Sequence, residues 1–247
     1  MRLDISKPKS VWTALSALML SAFAYVPLAA AVQQSTPLPS DTASALVIEP
    51  ERTLRFTTDE GTWVSLDVSP DGERIAFDLL GDLYTIPIAG GQATRLTQGM
   101  EFDATPRWSP DGSRIAFISD RDGGDNLWVV SPNGSGLRKL TKEIDSALGS
   151  PEWTPDGQYL VTRRFGPYPS AENYLTNVPL WMYHVDGGSG IQVFPQSPTR
   201  KSTNTGAAFS PDGGTLYTSS HGGGYAGETL GSYQVLAFDL ETGEETR

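Results

Sequence analysis

Hydrophobic and polar positions alternate with a period of two through most of the chain, in short runs that end at glycine- or proline-containing turns. Such alternation is typical of strands with one buried face. No window beyond residue 31 shows the period of a helix. The pattern therefore predicts an all-β protein of short antiparallel strands joined by tight turns.

One unit of this pattern occurs four times. Its opening part is LDVSPDGERIAF (66–77), PRWSPDGSRIAF (106–117), PEWTPDGQYLVT (151–162) and AAFSPDGGTLYT (207–218). The prolines of the shared turn, Pro70, Pro110, Pro155 and Pro211, are 40, 45 and 56 residues apart. Each copy continues with a second strand, a glycine turn and a short outer strand, clearest in ATRLT (93–97) and LRKLT (137–141). Four short strands per unit predict β-propeller blades.

The repeats set the expected domain organisation. The predicted blades cover about residues 60–98, 103–142, 149–195 and 205–247 of a propeller segment that spans 51–247. TLRFT (53–57) resembles an outer strand but precedes the first unit, and EETR (244–247) begins an outer strand of the fourth. A closed ring of four blades would hold one strand too many. We therefore expect an incomplete ring, with further blades beyond residue 247 and an open edge that favours self-association.

The repeated S-P-D-G motif places a serine and an acid side by side, as in Ser109 and Asp111, with Arg114 nearby. Its residue types are those that a hairpin corner requires. Proline fixes φ at the second turn position, aspartate suits the third, and glycine takes the left-handed conformation. A Ser or Thr hydroxyl at the first position can bond back to the turn backbone. Because the motif recurs with the blade, we interpret it as a structural corner and not as a catalytic site.

The N-terminus carries a targeting pattern. Residues 1–31 combine three basic side chains, an apolar run and the small residues Ala29-Ala30-Ala31, which predicts a cleaved secretory signal; a retained membrane anchor is the alternative. Residues 32–50 form a polar, proline-containing lead-in. We therefore expect an exported protein, periplasmic or extracellular, with no membrane span after cleavage.

Composition narrows the classes of partner. The chain has 247 residues, no cysteine and a net charge of −11; loss of residues 1–31 removes three basic residues and one acid, leaving −13. Such a negative net charge argues against nucleic acid and anionic lipid headgroups as partners, because both attract basic surfaces. Without cysteine there is no disulfide framework, so stability must come from packed sheets.

The repeats resemble the TolB-like, WD-like β-propeller family over residues 52–247. Longer phrases, among them TLRFTTDEGTWVSLDVSPDG (53–72) and SDRDGGDNLWVV (119–130), look like the N-terminal propeller of exported bacterial amidohydrolase-family proteins. The resemblance implies a metal-dependent hydrolase domain after the propeller, with zinc or a similar metal expected only there. The two histidines, His184 and His221, are 37 positions apart and form no H-x-H pair, so no metal site or cofactor is expected in this segment.

Candidate binding residues lie where the repeats differ. The S-P-D-G corners mark one face of the propeller, here called the turn face. The variable connections, including 165–178 and 220–231, belong to the opposite face, here called the loop face. The loop-face residues that we single out as possible ligand or partner contacts are Asp122, Asp125, Tyr168, His221 and Tyr225. The run DRDGGD (120–125) suggests calcium, but a polar hairpin loop explains it better because the twelve-residue loop with its terminal glutamate is absent.

No catalytic residue is assigned. There is no G-x-S-x-G elbow, and neither histidine has an obvious partner. The expected function is a non-catalytic scaffold or binding segment of an exported amidohydrolase-family protein, which contacts a downstream catalytic domain or a protein partner through the loop face. Two alternatives stay open: a stand-alone periplasmic interaction propeller, and the propeller of a prolyl-oligopeptidase-type serine peptidase.

Overall fold

The computed structural model describes residues 56–166, 178–193, 206–222 and 232–246, of which the side chains of 220–222 and 232–234 are not described. The predicted signal (1–31) and lead-in (32–50) lie outside these ranges. Every regular element in the described ranges is a strand, and none of these residues forms a helix long and apolar enough to cross a membrane.

The strands form four separate four-stranded antiparallel sheets, each built from consecutive strands. Sheet 1 contains β1 (Leu66–Val68), β2 (Arg74–Leu79), β3 (Asp82–Pro87) and β4 (Thr94–Arg95). Sheet 2 contains β5 (Asp103–Trp108), β6 (Ile115–Ser119), β7 (Asn126–Val130) and β8 (Arg138–Lys139). Sheet 3 contains β9 (Ala147–Trp153), β10 (Tyr159–Phe165), β11 (Leu180–His184) and β12 (Ile191–Gln192). Sheet 4 contains β13 (Ala208–Phe209), β14 (Thr215–Gly222), β15 (Ser232–Asp239) and β16 (Glu245–Thr246). The predicted all-β fold with four four-stranded blades is confirmed.

The short outer strands are held by a recurring threonine. The hydroxyl oxygen of Thr97 accepts a hydrogen bond from the backbone N–H of Leu83 at 2.9 Å, and that of Thr141 accepts one from Leu127 at 3.0 Å. Both threonines are buried. The Leu-Thr pair that ends ATRLT and LRKLT therefore extends the ladder by one side-chain bond where the two-residue strands β4 and β8 stop.

Consecutive sheets pack face to face. Between sheets 1 and 2 the core contains Ala76, Leu83, Leu96, Trp108, Ile115, Phe117 and Val130. Between sheets 2 and 3 it contains Ala116, Ile118, Leu127, Val129, Leu140, Leu148, Trp153, Leu160, Tyr183 and Val185. A third cluster of Val161, Leu180 and Leu216 joins sheets 3 and 4. Trp108 and Trp153 occupy the same position in successive units and lie in these cores, as expected for packing residues.

The first strands of sheets 2 and 3 each contain a bulge before a proline. The register of β5 against β6 shifts between Ala104 and Arg107, and Thr105 has φ +55°. In β9 the shift lies opposite Val161 and Arg163, and Ser150 has φ +52°. At each bulge a non-glycine residue therefore has a positive φ, a conformation that such residues seldom adopt. Each bulge bends its strand near the start.

Sheet 1 has an apolar face that no other described sheet covers. Leu66 and Val68 are 55% and 43% exposed, and their register partners Phe77 and Ile75 are only half-buried. At the equivalent positions of sheet 2, Phe117 and Ile115 are fully buried against sheet 1. The uncovered face of sheet 1 thus has the pattern of a face that packs on another blade.

Candidate functional site

The four S-P-D-G corners share one hydrogen-bonded geometry. In the second corner the Ser109 hydroxyl donates to Asp111 at 2.6 Å and accepts from the backbone N–H of Arg114 at 2.9 Å. Gly112 closes the turn through its N–H to the Ser109 carbonyl and has φ +69°. The same bonds from a first-position hydroxyl to an aspartate occur at Ser69–Asp71, Thr154–Asp156 and Ser210–Asp212.

These hydrogen bonds explain why aspartate occupies the third position of each corner. The Ser109 hydroxyl and the backbone N–H of Ser113 lower the pKa of Asp111 to about 2. Successive corners also touch, because the prolines Pro70, Pro110 and Pro155 lie beside the glycine of the following corner. Ser109 is buried and its hydroxyl is occupied by the turn itself. The arrangement fixes a hairpin, and a carboxylate with so low a pKa is a weak general base for the serine.

The predicted loop-face residues Asp122 and Asp125 lie between β6 and β7 but do not converge on one point. Asp122 forms an ion pair with Lys139. The backbone carbonyl of Asp125 accepts from Leu148 at 3.0 Å, and burial, with a smaller effect of Asp120, raises the pKa of its carboxyl. Asp120 accepts from the N–H of Phe102 at 2.8 Å. In the described ranges no three His, Cys, Asp or Glu side chains are placed to hold a metal ion.

The other singled-out residues fall largely outside the description. Tyr168 and Tyr225 lie outside the described residues, and His221 belongs to β14 with a side chain that is not described. His184 is 38% exposed on β11, and its ring contacts that of Tyr159 edge-on. Its Nδ1 lies 3.6 Å from Asp186. Of the five candidate residues, only Asp122 and Asp125 therefore have described side chains, and these two do not converge.

Two ion pairs, one buried and one partly buried, fasten the loop face. Asp103, at the start of β5, accepts two bonds from the guanidinium of Arg121 at 2.8 and 2.6 Å. The same guanidinium lies over the ring of Trp128 at 5.1 Å. Glu143 joins sheets 2 and 3, because its carboxylate accepts from Tyr183 at 2.8 Å and pairs with Arg164 at 2.7 Å. These charged groups rigidify the loop face and are not free for a ligand.

A further charged group lies on the first strands of the sheets. We call Asp67, Arg107 and Glu152 the inner-strand cluster, since they occupy equivalent positions on β1, β5 and β9, and β5 contacts both other strands. Asp67 accepts from the N–H of Trp108 at 2.7 Å. Arg107 Nε lies 3.5 Å from a Glu152 carboxylate oxygen, and both side chains are about one third exposed.

The electrostatics of this cluster differ from those of the corners. Burial raises the pKa of Glu152 to about 7, against the opposing effect of Arg107 and with a further increase from Asp67. The Arg107 guanidinium therefore pairs with Glu152, and Asp67 on the third strand is close enough to act on the same carboxyl. Sequence reasoning missed this cluster, although the aligned repeats contain its signal. Three residues before each corner proline, the units carry Asp67, Arg107, Glu152 and Ala208.

Glu152→Gln should remove a pH dependence of folding. A carboxyl with a folded pKa raised from about 4.5 to about 7 favours folding below pH 4.5, and this contribution is lost as the pH rises to 7. After allowance for solvent screening at a one-third exposed group, we expect the wild-type chain to lose about 1 kcal/mol of stability over that range through Glu152. The variant should lack this loss in urea unfolding between pH 5 and 8. The exposed Glu73→Gln control should keep the wild-type slope, and an unchanged slope in Glu152→Gln would contradict the assignment.

Comparison with known proteins shows which family and which relatives share this architecture. The family of the tricorn protease N-terminal β-propeller domain matches residues 71–222, which is more than half of the chain. The uncharacterized peptidase YuxL of Bacillus subtilis (strain 168) is 38% identical over 117 residues, in a match that covers 42% of this chain and 18% of YuxL. Tricorn protease homolog 1 of Streptomyces coelicolor (strain ATCC BAA-471 / A3(2) / M145) is 30% identical over 129 residues, which are 52% of this chain and 12% of the homolog.

Solved structures agree with the fold. The putative TolB from Agrobacterium tumefaciens superposes with a TM-score of 0.56 at 20% identity, covering 74% of this chain and 60% of that chain. At this identity the likeness concerns the fold alone. The chain thus spans less than a fifth of the two curated relatives and less than two thirds of the TolB structure.

Proposed function

The chain belongs to the family of the tricorn protease N-terminal β-propeller domain, and from this premise we propose that it is a non-catalytic binding scaffold of an exported hydrolase. Its task would be to position a substrate or a partner for a separate catalytic domain. The observation that carries the proposal is that the charged and hydroxyl side chains form structural hydrogen bonds and ion pairs. The acids and bases that could suggest catalysis are engaged in corners and inter-sheet bonds, as for Ser109 and for Asp103.

A rigid scaffold with variable connections at one face is suited to binding. The loop face carries the connections that differ most between units, and the ion pairs of Asp103 and Glu143 hold the strand ends beneath it. We therefore propose the loop face as the surface that meets a catalytic domain or a protein partner. Export remains part of the proposal and rests on the signal pattern of residues 1–31.

The class of hydrolase has two candidates. The phrases that resemble exported amidohydrolase-family proteins favour a metal-dependent amidohydrolase domain. The relatives named as a peptidase and as a tricorn protease homolog favour a peptide-hydrolysing partner domain, as in the serine-peptidase alternative. Both candidates share the same role for the propeller, and they differ in the residues that the catalytic domain must supply.

The coding sequence beyond the codon for Arg247 tests the proposal and separates the candidates. An H-x-H pair with further His and Asp ligands supports the amidohydrolase, and a G-x-S-x-G elbow supports the peptidase. A reading frame that ends after further blades without either motif would contradict the hydrolase role and favour the stand-alone interaction propeller.

A further inference from the structure

Four large apolar side chains stand exposed together at the loop-face end of sheet 1. They are Trp63, Leu80, Met100 and Phe102, with exposed fractions of 99%, 78%, 70% and 64%. They come from three separate segments: the approach to β1, the turn between β2 and β3, and the connection from β4 to β5. We call these four residues the loop-face patch.

Short-range contacts bring these segments to one place. The N–H of Asp78 donates to the carbonyl of Ser65, which holds the approach to β1 beside the end of β2. The carbonyl of Gly81 accepts from the N–H of Asp103 at 2.9 Å. The Phe102 ring lies 3.4 Å from the position that a Cβ on Gly81 would take. The turn that carries Leu80 therefore lies beside Phe102, and the segment that carries Trp63 ends at the same end of sheet 1.

Two of the four residues are also in costly backbone conformations. Trp63 has φ +60° and Leu80 has φ +55°. Leu80 precedes Gly81, φ +85°, in a two-residue hairpin turn where Asn or Gly is the favoured first residue. A leucine there costs about 1 kcal/mol or more and buries almost none of its side chain in return. A strained residue that gains nothing in the folded chain points to a gain on binding.

Acids surround the patch. The carboxylates of Asp59, Glu60, Asp82, Glu101, Asp103 and Asp120 belong to its segments or contact them. The guanidiniums of the same region, Arg95 and Arg121, are already paired with Asp82 and Asp103. One carboxylate oxygen of Glu101, between Met100 and Phe102, is buried and has no hydrogen-bond partner among the described residues. The acids of these segments therefore outnumber the bases, since Arg95 and Arg121 balance only Asp82 and Asp103.

We propose that the loop-face patch binds an extended polypeptide segment in which apolar side chains alternate with lysine or arginine. The apolar side chains pack on Trp63, Leu80 and Phe102, and a basic side chain of the peptide donates to Glu101. The acidic surroundings favour such a segment over a neutral or acidic one. This inference rests on the proposed binding role and names the class of polypeptide that the scaffold takes.

Fluorescence anisotropy of a labelled peptide tests the proposal on the whole chain. The probe is a short peptide that alternates lysine with leucine or phenylalanine, and its two controls replace every lysine by glutamate or every apolar residue by serine. We expect binding of the probe only. Leu80→Asn should weaken binding about tenfold, the change expected for loss of an apolar anchor, while the chain stays at least as stable because Asn tolerates positive φ.

Further variants separate the parts of the site. Phe102→Ser should weaken binding as Leu80→Asn does, and Glu101→Gln should reduce the preference for the lysine peptide over its glutamate control. Ile144→Ser, at a 90% exposed position in the connection between β8 and β9, is the matched control and should bind as wild type.

Three results would overturn the proposal. The first is the absence of probe binding by the wild-type chain, and the second is probe binding that Leu80→Asn and Phe102→Ser leave unchanged. The third is a concentration-dependent dimer in sedimentation that Leu80→Asn abolishes, since a second copy would then be the occupant. None of these results bears on whether a hydrolase domain follows residue 247, so failure here is distinguishable from failure of the proposed function.

Discussion

Asp103→Ala should lower the free energy of unfolding by about 3–5 kcal/mol, the usual cost of leaving a buried charge without its partner. Asp103 is 2% exposed and Arg121 is 10% exposed, and both carboxylate oxygens accept from one Arg121 nitrogen. The guanidinium also bonds the Ser119 hydroxyl, so it cannot turn to solvent without losing further contacts. Urea unfolding monitored by tryptophan fluorescence measures the effect.

The matched control is Asp122→Ala, because Asp122 forms its ion pair with Lys139 nearer the surface. An exposed pair of this kind contributes about 0–1 kcal/mol. The double variant Asp103→Ala with Arg121→Met should recover much of the loss by removing the unpaired guanidinium. Equal effects of Asp103→Ala and Asp122→Ala would show that the buried pair does not fasten the loop face.

Phe117→Ala should cost about 3–5 kcal/mol, whereas Phe77→Ala at the equivalent position of the first sheet should cost about 1 kcal/mol. Phe117 is fully buried between sheets 1 and 2. Phe77 stacks on Tyr84 at a centroid distance of 5.5 Å but is only half-buried, because no described sheet covers its face. The same substitution in the same register position therefore compares a covered face with an uncovered one.

Chemical denaturation at low protein concentration measures both losses and keeps self-association small. A loss at Phe77 as large as that at Phe117 would contradict the open face, since it would mean that sheet 1 is covered on both sides. A Phe77 loss that grows with protein concentration would identify association through this face as the source.

The corners and the strands were predictable because their causes are local. Proline, aspartate and glycine at fixed turn positions define each corner, and alternation over a few residues defines each strand. Gly112, for example, has the positive φ that its place in the motif predicts. The outer strands were also predictable, because a Leu-Thr pair follows each of them and its threonine, Thr97 or Thr141, bonds to the neighbouring strand.

The contacts between sheets were not predictable, because they join residues far apart in the chain. The partner of Glu143 is Tyr183, forty positions later, and Trp153 donates to the carbonyl of Arg107. Nothing in the local sequence specifies such pairs. The polar residues that the sequence suggested as ligands, such as Asp122, are engaged in structure, while the strongest binding candidate is an apolar patch around Leu80. Polar and charged motifs in the sequence do not reveal such a surface, because its only signal is apolar side chains that are exposed in the fold.

The inner-strand cluster is intermediate between these two cases. Its three charged residues stand at the same offset from the corner prolines, so the alignment of the units already places them in one row. What the alignment lacks is the burial that raises the pKa of Glu152 to about 7. That effect depends on how closely the first strands of successive sheets approach.

Turnover by the purified chain tests the central claim most directly, namely that this propeller binds and does not catalyse. Hydrolysis of peptide and amide substrates should be followed with and without added zinc, for the wild-type chain and for Ser109→Ala. We predict no turnover above the uncatalysed rate in either chain. Turnover by the wild-type chain that Ser109→Ala abolishes without unfolding would contradict the account, since the corner would then be an active site.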